Sequence, residues 1–308
     1  MPNVPRTLPA DDPVLPEWRT WLLVPTVYAA WLLAVATHAS QGRGIGSVVL
    51  VLATCWFTSL QHELIHGHPS RNSRVNRLMG LAPLAVWYPY DLYRRSHLAH
   101  HRDELLTEPG IDPESNYIDD VAWRGLSRFV RPMWVAQRTV VGRLLLGPAM
   151  VIVPTWLDIV RRPLRGDFSQ SRSWTLHVVL VAALLFLLDR YAHIGPLRYL
   201  LTVGYPALGL AMLRSFYEHR PALDASHRVV INEAGIFWRI LYLNNNYHAV
   251  HHERPELPWH LVRRFYIEHR AEVLERNGGF VISGYLSLMK KYAMTTVDSP
   301  VHPAPADR

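Results

Sequence analysis

The chain has 308 residues, about half of them apolar, and the apolar residues fall in long blocks, which excludes a pair of ordinary soluble domains and points to one membrane-embedded unit. Its formal charge of +7 comes from arginine, with Lys290 and Lys291 the only lysines; the arginines flank apolar runs, which speaks against a nucleic-acid partner and for anionic lipid headgroups. A single cysteine, Cys55, excludes a disulfide framework, a cysteine-ligated iron–sulfur cluster and a cysteine-based zinc site.

Residues 1–16 are polar and Pro-rich and lack the basic, apolar, small-residue order of a signal peptide, so they read as a cytoplasmic tail. The first expected span covers about 20–41, with Trp18 and Trp21 at an interface, and Arg43 separates it from a second span at 44–61. Leu78 to Tyr90 is apolar but too short to cross ~30 Å of hydrocarbon, so it is placed at the interface. Leu144 to Leu157 is nearly long enough, but it carries Pro148 and Pro154 and is followed by Asp158 and Arg161. A crossing there would put the second and third histidine clusters on opposite faces, so this stretch is also read as interfacial. Spans at 173–193 and 197–213 then form a second hairpin. The expected fold is an all-α integral membrane protein, one domain over 1–308, with four transmembrane helices in two hairpins and a cytoplasmic helical cap. Both termini lie inside, and the tail from 295 is expected to be unstructured. The proposed outer loops hold only Arg43, Arg190 and Arg198, as the positive-inside rule requires.

Three histidine clusters stand against this frame: HELIHGH at 62–68, HLAHH at 97–101 and HAVHH at 248–252. Neutral imidazole is a metal ligand, and helical residues three and four apart share one face, so each cluster can aim its rings at one point. A lone histidine is more often a core or surface residue; the repeated HxxHH pattern reverses that judgement for His62, His66, His97, His100, His101, His248, His251 and His252. Imidazole suits iron, zinc, copper and nickel alike, so these rings alone do not select the metal. Glu63, Asp91, Asp103, Glu104, Glu218 and Glu253 lie within or beside the clusters as acceptors that would orient ring N–H groups, although a solvated surface role suits any single one of them except Glu63 about as well. Asn244, Asn245 and Asn246 are placed either to do the same or to cap the helix. His38, His177 and His193 read as interface residues on the opposite side.

In order and with their intervening spans, these clusters resemble the membrane fatty acid desaturase and hydroxylase superfamily: HELIH its first box, HLAHH its second, and HAVHH followed by ERPELP its third, over about 45–261. The resemblance implies a non-haem di-iron centre on the cytoplasmic face, with dioxygen as co-substrate. It further implies hydrogen removal from an unactivated C–H bond of a lipid-linked or thioester-linked acyl chain, with electrons from a separate ferredoxin, rubredoxin or cytochrome-type donor. The family also uses an isolated histidine between the last span and the third box, and FYEHR at 216–220 offers His219 there. A helix continuing past Leu213 would carry His219 ~9 Å further along its axis. Some relatives place Asn four residues before that histidine, where this chain has Ser215, and His68 has no fixed counterpart, so it reads as a residue behind the ligands or a structural one. Nine rings are too many for one ion and imply two. Desaturation is the leading reading and hydroxylation at the same centre the alternative; a metal transporter would need ligands in mid-bilayer, which the spans do not offer.

Overall fold

The two nearly charge-free N-terminal blocks fold as long helices packed along each other, α1 (Trp18–Thr37) and α2 (Arg43–Ile65). On α2 the buried residues Leu50, Ala53, Phe57, Leu60 and Leu64 recur every three or four positions, and α1 answers with Val27, Trp31 and Ala34. Trp31 Nε1–H donates to Thr54 Oγ1 at 3.2 Å, a buried polar pair between the two helices. Leu32, Leu33, Ile45 and Val48 face outward, a surface suited to hydrocarbon. The computed structural model describes residues 17–101 and 105–303 of the chain.

After α2 come the short α3 (Ser73–Gly80), whose first turn is capped by the Asn72 side chain, and α4 (Tyr90–His100). Three small helices, α5 (Asp120–Gly125), α6 (Arg131–Ala136) and α7 (Val140–Leu145), lead into α8 (Gly147–Leu164) and α9 (Ser171–Ala192). The next helix begins as α10 (Pro196–Tyr199), passes through a π-helical segment at Leu200–Gly204 and continues as α11 (Tyr205–Arg214). Gly204 lies against Val86 and Trp87, where a Cβ would stand 2.8 Å from Val86 Cγ2, so the bulge seats this helix directly on the 84–87 loop.

Four helices are long and apolar enough to cross a membrane by length and composition: Trp18–Thr37, Gly44–Ile65, Val140–Leu164 and Ser171–Ala192. Three agree with the sequence expectation. The stretch Leu144–Leu157, expected to be nearly long enough and to lie at the interface, is part of a longer Val140–Leu164 rod, because Pro148 sits in the first turn of α8, where its missing N–H costs no bond, and α7 extends the apolar run backwards. The expected span at 197–213 is helical throughout but is divided by the π segment. Leu144 O approaches Gly209, where a Cβ would stand only 2.7 Å away, and Gly147 meets Met212, so the start of the rod packs on the last turns of α11. At its other end Arg162 pairs with Asp167, just before α9, whose Ser173 reaches Asp91 at the start of α4.

The remaining helices are α12 (Ile236–Leu241), α13 (His248–Glu253), α14 (Trp259–Glu268), α15 (Arg270–Arg276) and α16 (Tyr285–Tyr292), with a two-residue parallel pair, β1 (Ile231–Asn232) and β2 (Val281–Ile282). The segment expected to be unstructured from 295 is held through 303: Val297 N–H donates to Arg138 O, Val301 bridges Ile118, and Asp298 meets Arg138 and Tyr117 Oη. Residues 1–16 and 304–308, assigned to tails by the sequence, lie outside the described residues.

Candidate metal centre

His62 lies in the last turn of α2 and His66 caps it; His97 and His100 end α4 and His101 caps it. The third cluster occupies α13, which follows a turn whose Leu243 and Asn244 both take left-handed backbone angles (φ 48° and 59°). His219 arrives by a different route from the expected one. The helix stops at Arg214, Tyr217 turns with φ 66°, and His219 sits on an extended segment bridged antiparallel to Val229. The carbonyl ends of α2 and α4 therefore open onto the histidines, and the end of α11 lies close by. Each carries partial negative charge that favours cations in that space.

The nine rings sort into two groups that cut across the sequence clusters. His62, His66, His97, His101 and His251 form one, His100, His219, His248 and His252 the other, each with ligand atoms within 4.8 Å of one another. His66 and His97 bring their Nε2 atoms to 2.9 Å, and His101 and His251 to 3.1 Å. In the second group His219 Nε2 stands 3.1 Å from the Nε2 of both His100 and His248, and His252 Nε2 stands 3.1 Å from that of His248. His62 Nε2 is buried with no hydrogen-bond partner. A ring whose Nδ1 carries the proton presents a lone pair at Nε2, so Nε2 atoms that converge in this way are donor atoms aimed at one point. A cation in each group is what these residues fit.

Carboxylates fix that tautomer. His100 Nδ1–H donates to Asp112 Oδ1 at 2.8 Å, and His97 Nδ1–H to Glu114 Oε1 at 3.1 Å. His248 Nδ1–H donates to Asn245 Oδ1 at 3.2 Å. Burial opposes the charge on Glu114, yet the facing His97 pulls its carboxyl well below the usual range; Asp112 is lowered in the same way by His100. Burial, then the charges of neighbouring rings, lowers His101 to about 2 and His219 to about 3, which keeps both neutral, the form that ligates.

A family model for fatty acid desaturase matches residues 42–283. The chain belongs to the fatty acid desaturase family. No individually curated protein matches it.

Several expected supporting residues of this desaturase-family chain stand elsewhere. Asp91 is not at the histidines: it forms a two-pronged ion pair with Arg77 at 2.7 and 2.8 Å, because it opens α4, eleven residues long, while the histidines close it. His68 donates to Glu17 ahead of α1. Glu63 accepts from Trp259 N–H at 3.1 Å and stays 4.0 Å from His62, and Asn244 donates to Trp259 O, so both hold the loop after the third cluster. Glu253 pairs with Arg276. His177, which the sequence assigned to an interface and not to the centre, is bonded to Val86 O. Asp103 and Glu104 lie outside the described residues. Asp112 and Glu114 were missed. Their one signal is the acidic DPE triplet in a Pro- and Gly-containing loop soon after the second cluster, with no helical period to show its direction.

Beside the centre lies a cavity of about 370 Å³. Tyr88, Leu92, Tyr93, Val151, Leu208 and Met212 line it, His219 and Glu114 border it at the metal side, and Asp158, Arg162 and Gln170 add a polar part.

Proposed function

We propose that this protein is an oxygen-dependent desaturase that removes hydrogens from an unactivated C–H pair of a fatty acyl chain at a cytoplasmic di-iron site. The observation that carries the reading is the division of nine histidines into groups of five and four beside an apolar-walled cavity, in a chain of the desaturase family. Two iron ions held by those groups would supply dioxygen activation and the oxidising power for C–H cleavage. Asp112 and Glu114 keep the protons of His100 and His97 on Nδ1, so their Nε2 lone pairs face the ions. The cavity walls align the acyl chain past His219 and exclude bulk water, while Asp158, Arg162 and Gln170 suit the end that bears the lipid or thioester head group. Electrons come from a separate ferredoxin, rubredoxin or cytochrome-type protein, since the chain's one cysteine, buried Cys55, cannot hold a cluster.

For topology we propose crossings at α1, α2, α9 and the α10–α11 helix, with both termini and the metal centre cytoplasmic. The contacts at both ends of α8, with the last turns of α11 and with the loop before α9, support a rod lying along that face, as does the arginine asymmetry. Expression in a desaturase-deficient host, followed by mass spectrometry of total lipids with and without an iron chelator, tests the reaction. The expected product is an acyl chain short of two hydrogens, absent when iron is withheld; an added oxygen atom instead would establish hydroxylation.

A further inference from the structure

We infer that Glu218 is the fifth protein ligand of the four-histidine site. The inference rests on the two-metal reading and concerns the inequality between the two groups, five histidines against four. Asp112 and Glu114 contact Nδ1 atoms, the sides of the rings turned away from the cluster. Glu218 differs. Its Oε2 lies 3.7 Å from His248 Nε2, the atom that also meets His219 and His252. The side chain is buried, and Oε1 has no hydrogen-bond partner. The neighbouring cation is Arg214, whose Nε stands 3.6 Å away and makes no hydrogen bond either, so the ion pair is loose.

A carboxylate oxygen facing a nitrogen lone pair at this distance is repulsive unless a cation lies between them. Two donors bound to one ion at bond lengths of about 2.0–2.2 Å stand on the order of 3–4 Å apart, the spacing seen here. Glu218 Oε2 is outside the set of atoms already within 4.8 Å of one another, and the cavity that Glu218 lines together with Ser215 and His219 leaves room for its carboxylate to swing inward. Ligation would join an anion to four neutral rings, offset part of the metal's charge and equalise the two sites. Carboxylate and imidazole together suit iron.

The test is a Co2+ titration of the metal-free, detergent-solubilised protein followed by its visible ligand-field bands, which strengthen as coordination number falls. Wild type is expected to bind two ions. Glu218→Gln should bind the second at least about tenfold more weakly, with intensified bands for that ion, whereas Asp112→Asn, altered behind a ring, should weaken binding with unchanged bands. In parallel, infrared difference spectra of wild type carrying 13C-glutamate should show a glutamate carboxylate shifting on metal addition, a readout that needs no variant to fold. Unchanged bands in Glu218→Gln, or no labelled carboxylate shift in wild type, would overturn the assignment. One ion bound by wild type would instead overturn the two-metal reading beneath it.

Discussion

Asp112 is the sharpest handle on the centre, because it is buried and both of its oxygens are committed. Oδ1 accepts from His100 Nδ1–H at 2.8 Å and from the Glu114 backbone N–H at 2.9 Å, while Oδ2 accepts from the Thr107 N–H at 2.9 Å. In Asp112→Asn one oxygen becomes an NH2 that faces a donor, so either His100 and Glu114 or Thr107 lose their acceptor, and in both cases His100 no longer faces a charged carboxylate. Loss of a hydrogen bond to a charged group costs about 1.5–3 kcal/mol. Independently, removing a partner behind a metal-binding histidine lowers affinity about 10–100-fold, or roughly 1.4–2.7 kcal/mol at 1.36 kcal/mol per tenfold. The two figures agree, so Asp112→Asn should lose metal from the four-histidine group at a chelator concentration about 10–100-fold below that needed for wild type. Metal per chain after a graded chelator challenge measures this. Asp91→Asn is the control: its carboxylate pairs with Arg77 at the far end of α4 and touches no ring of the centre, so it should leave metal content unchanged. If Asp112→Asn retains metal as wild type does, the tautomer argument is wrong.

His219→Ala is expected to be inactive and metal-depleted in a folded protein, while His227→Ala, whose ring lies 4.0 Å from Asp224 on a loop, stays active; near-normal product from His219→Ala would remove it from the site. Stripping the metals should lower the unfolding temperature, because the nine rings lose the group that pairs their lone pairs; a site holding ligand at 100 times its Kd contributes about 2.7 kcal/mol, so an unmoved transition would argue against occupied sites. In a Cys55→Ala background, Gln41→Cys should react with a membrane-impermeant thiol reagent added outside and Arg165→Cys should not. Outside labelling of Arg165→Cys would mean that Val140–Leu164 crosses the membrane.

Local pattern alone was enough for much of this protein. Apolar runs without charge marked α1, α2 and α9 within a few residues, and the three- and four-residue spacing of the clustered histidines named eight of the nine that converge, because helical period and hydropathy are properties of neighbouring residues. Family resemblance, not spacing, added His219. What folding decided is how distant pieces meet. His251 leaves its own cluster to join His62 and His97, while His248 and His252 join His100 and His219, an allocation set by where α13 packs against the ends of α2 and α4. Asp91, beside the second cluster in sequence, is turned away to Arg77 by the length of its helix, whereas Asp112 and Glu114 return from a loop to sit behind the rings. Glu218, adjacent to His219 in sequence, gains its place against His248 only through the turn at Tyr217 and the bridge to Val229. Such contacts depend on loop paths and helix ends, which carry no period, so they become visible only when long-range packing brings the chain back on itself.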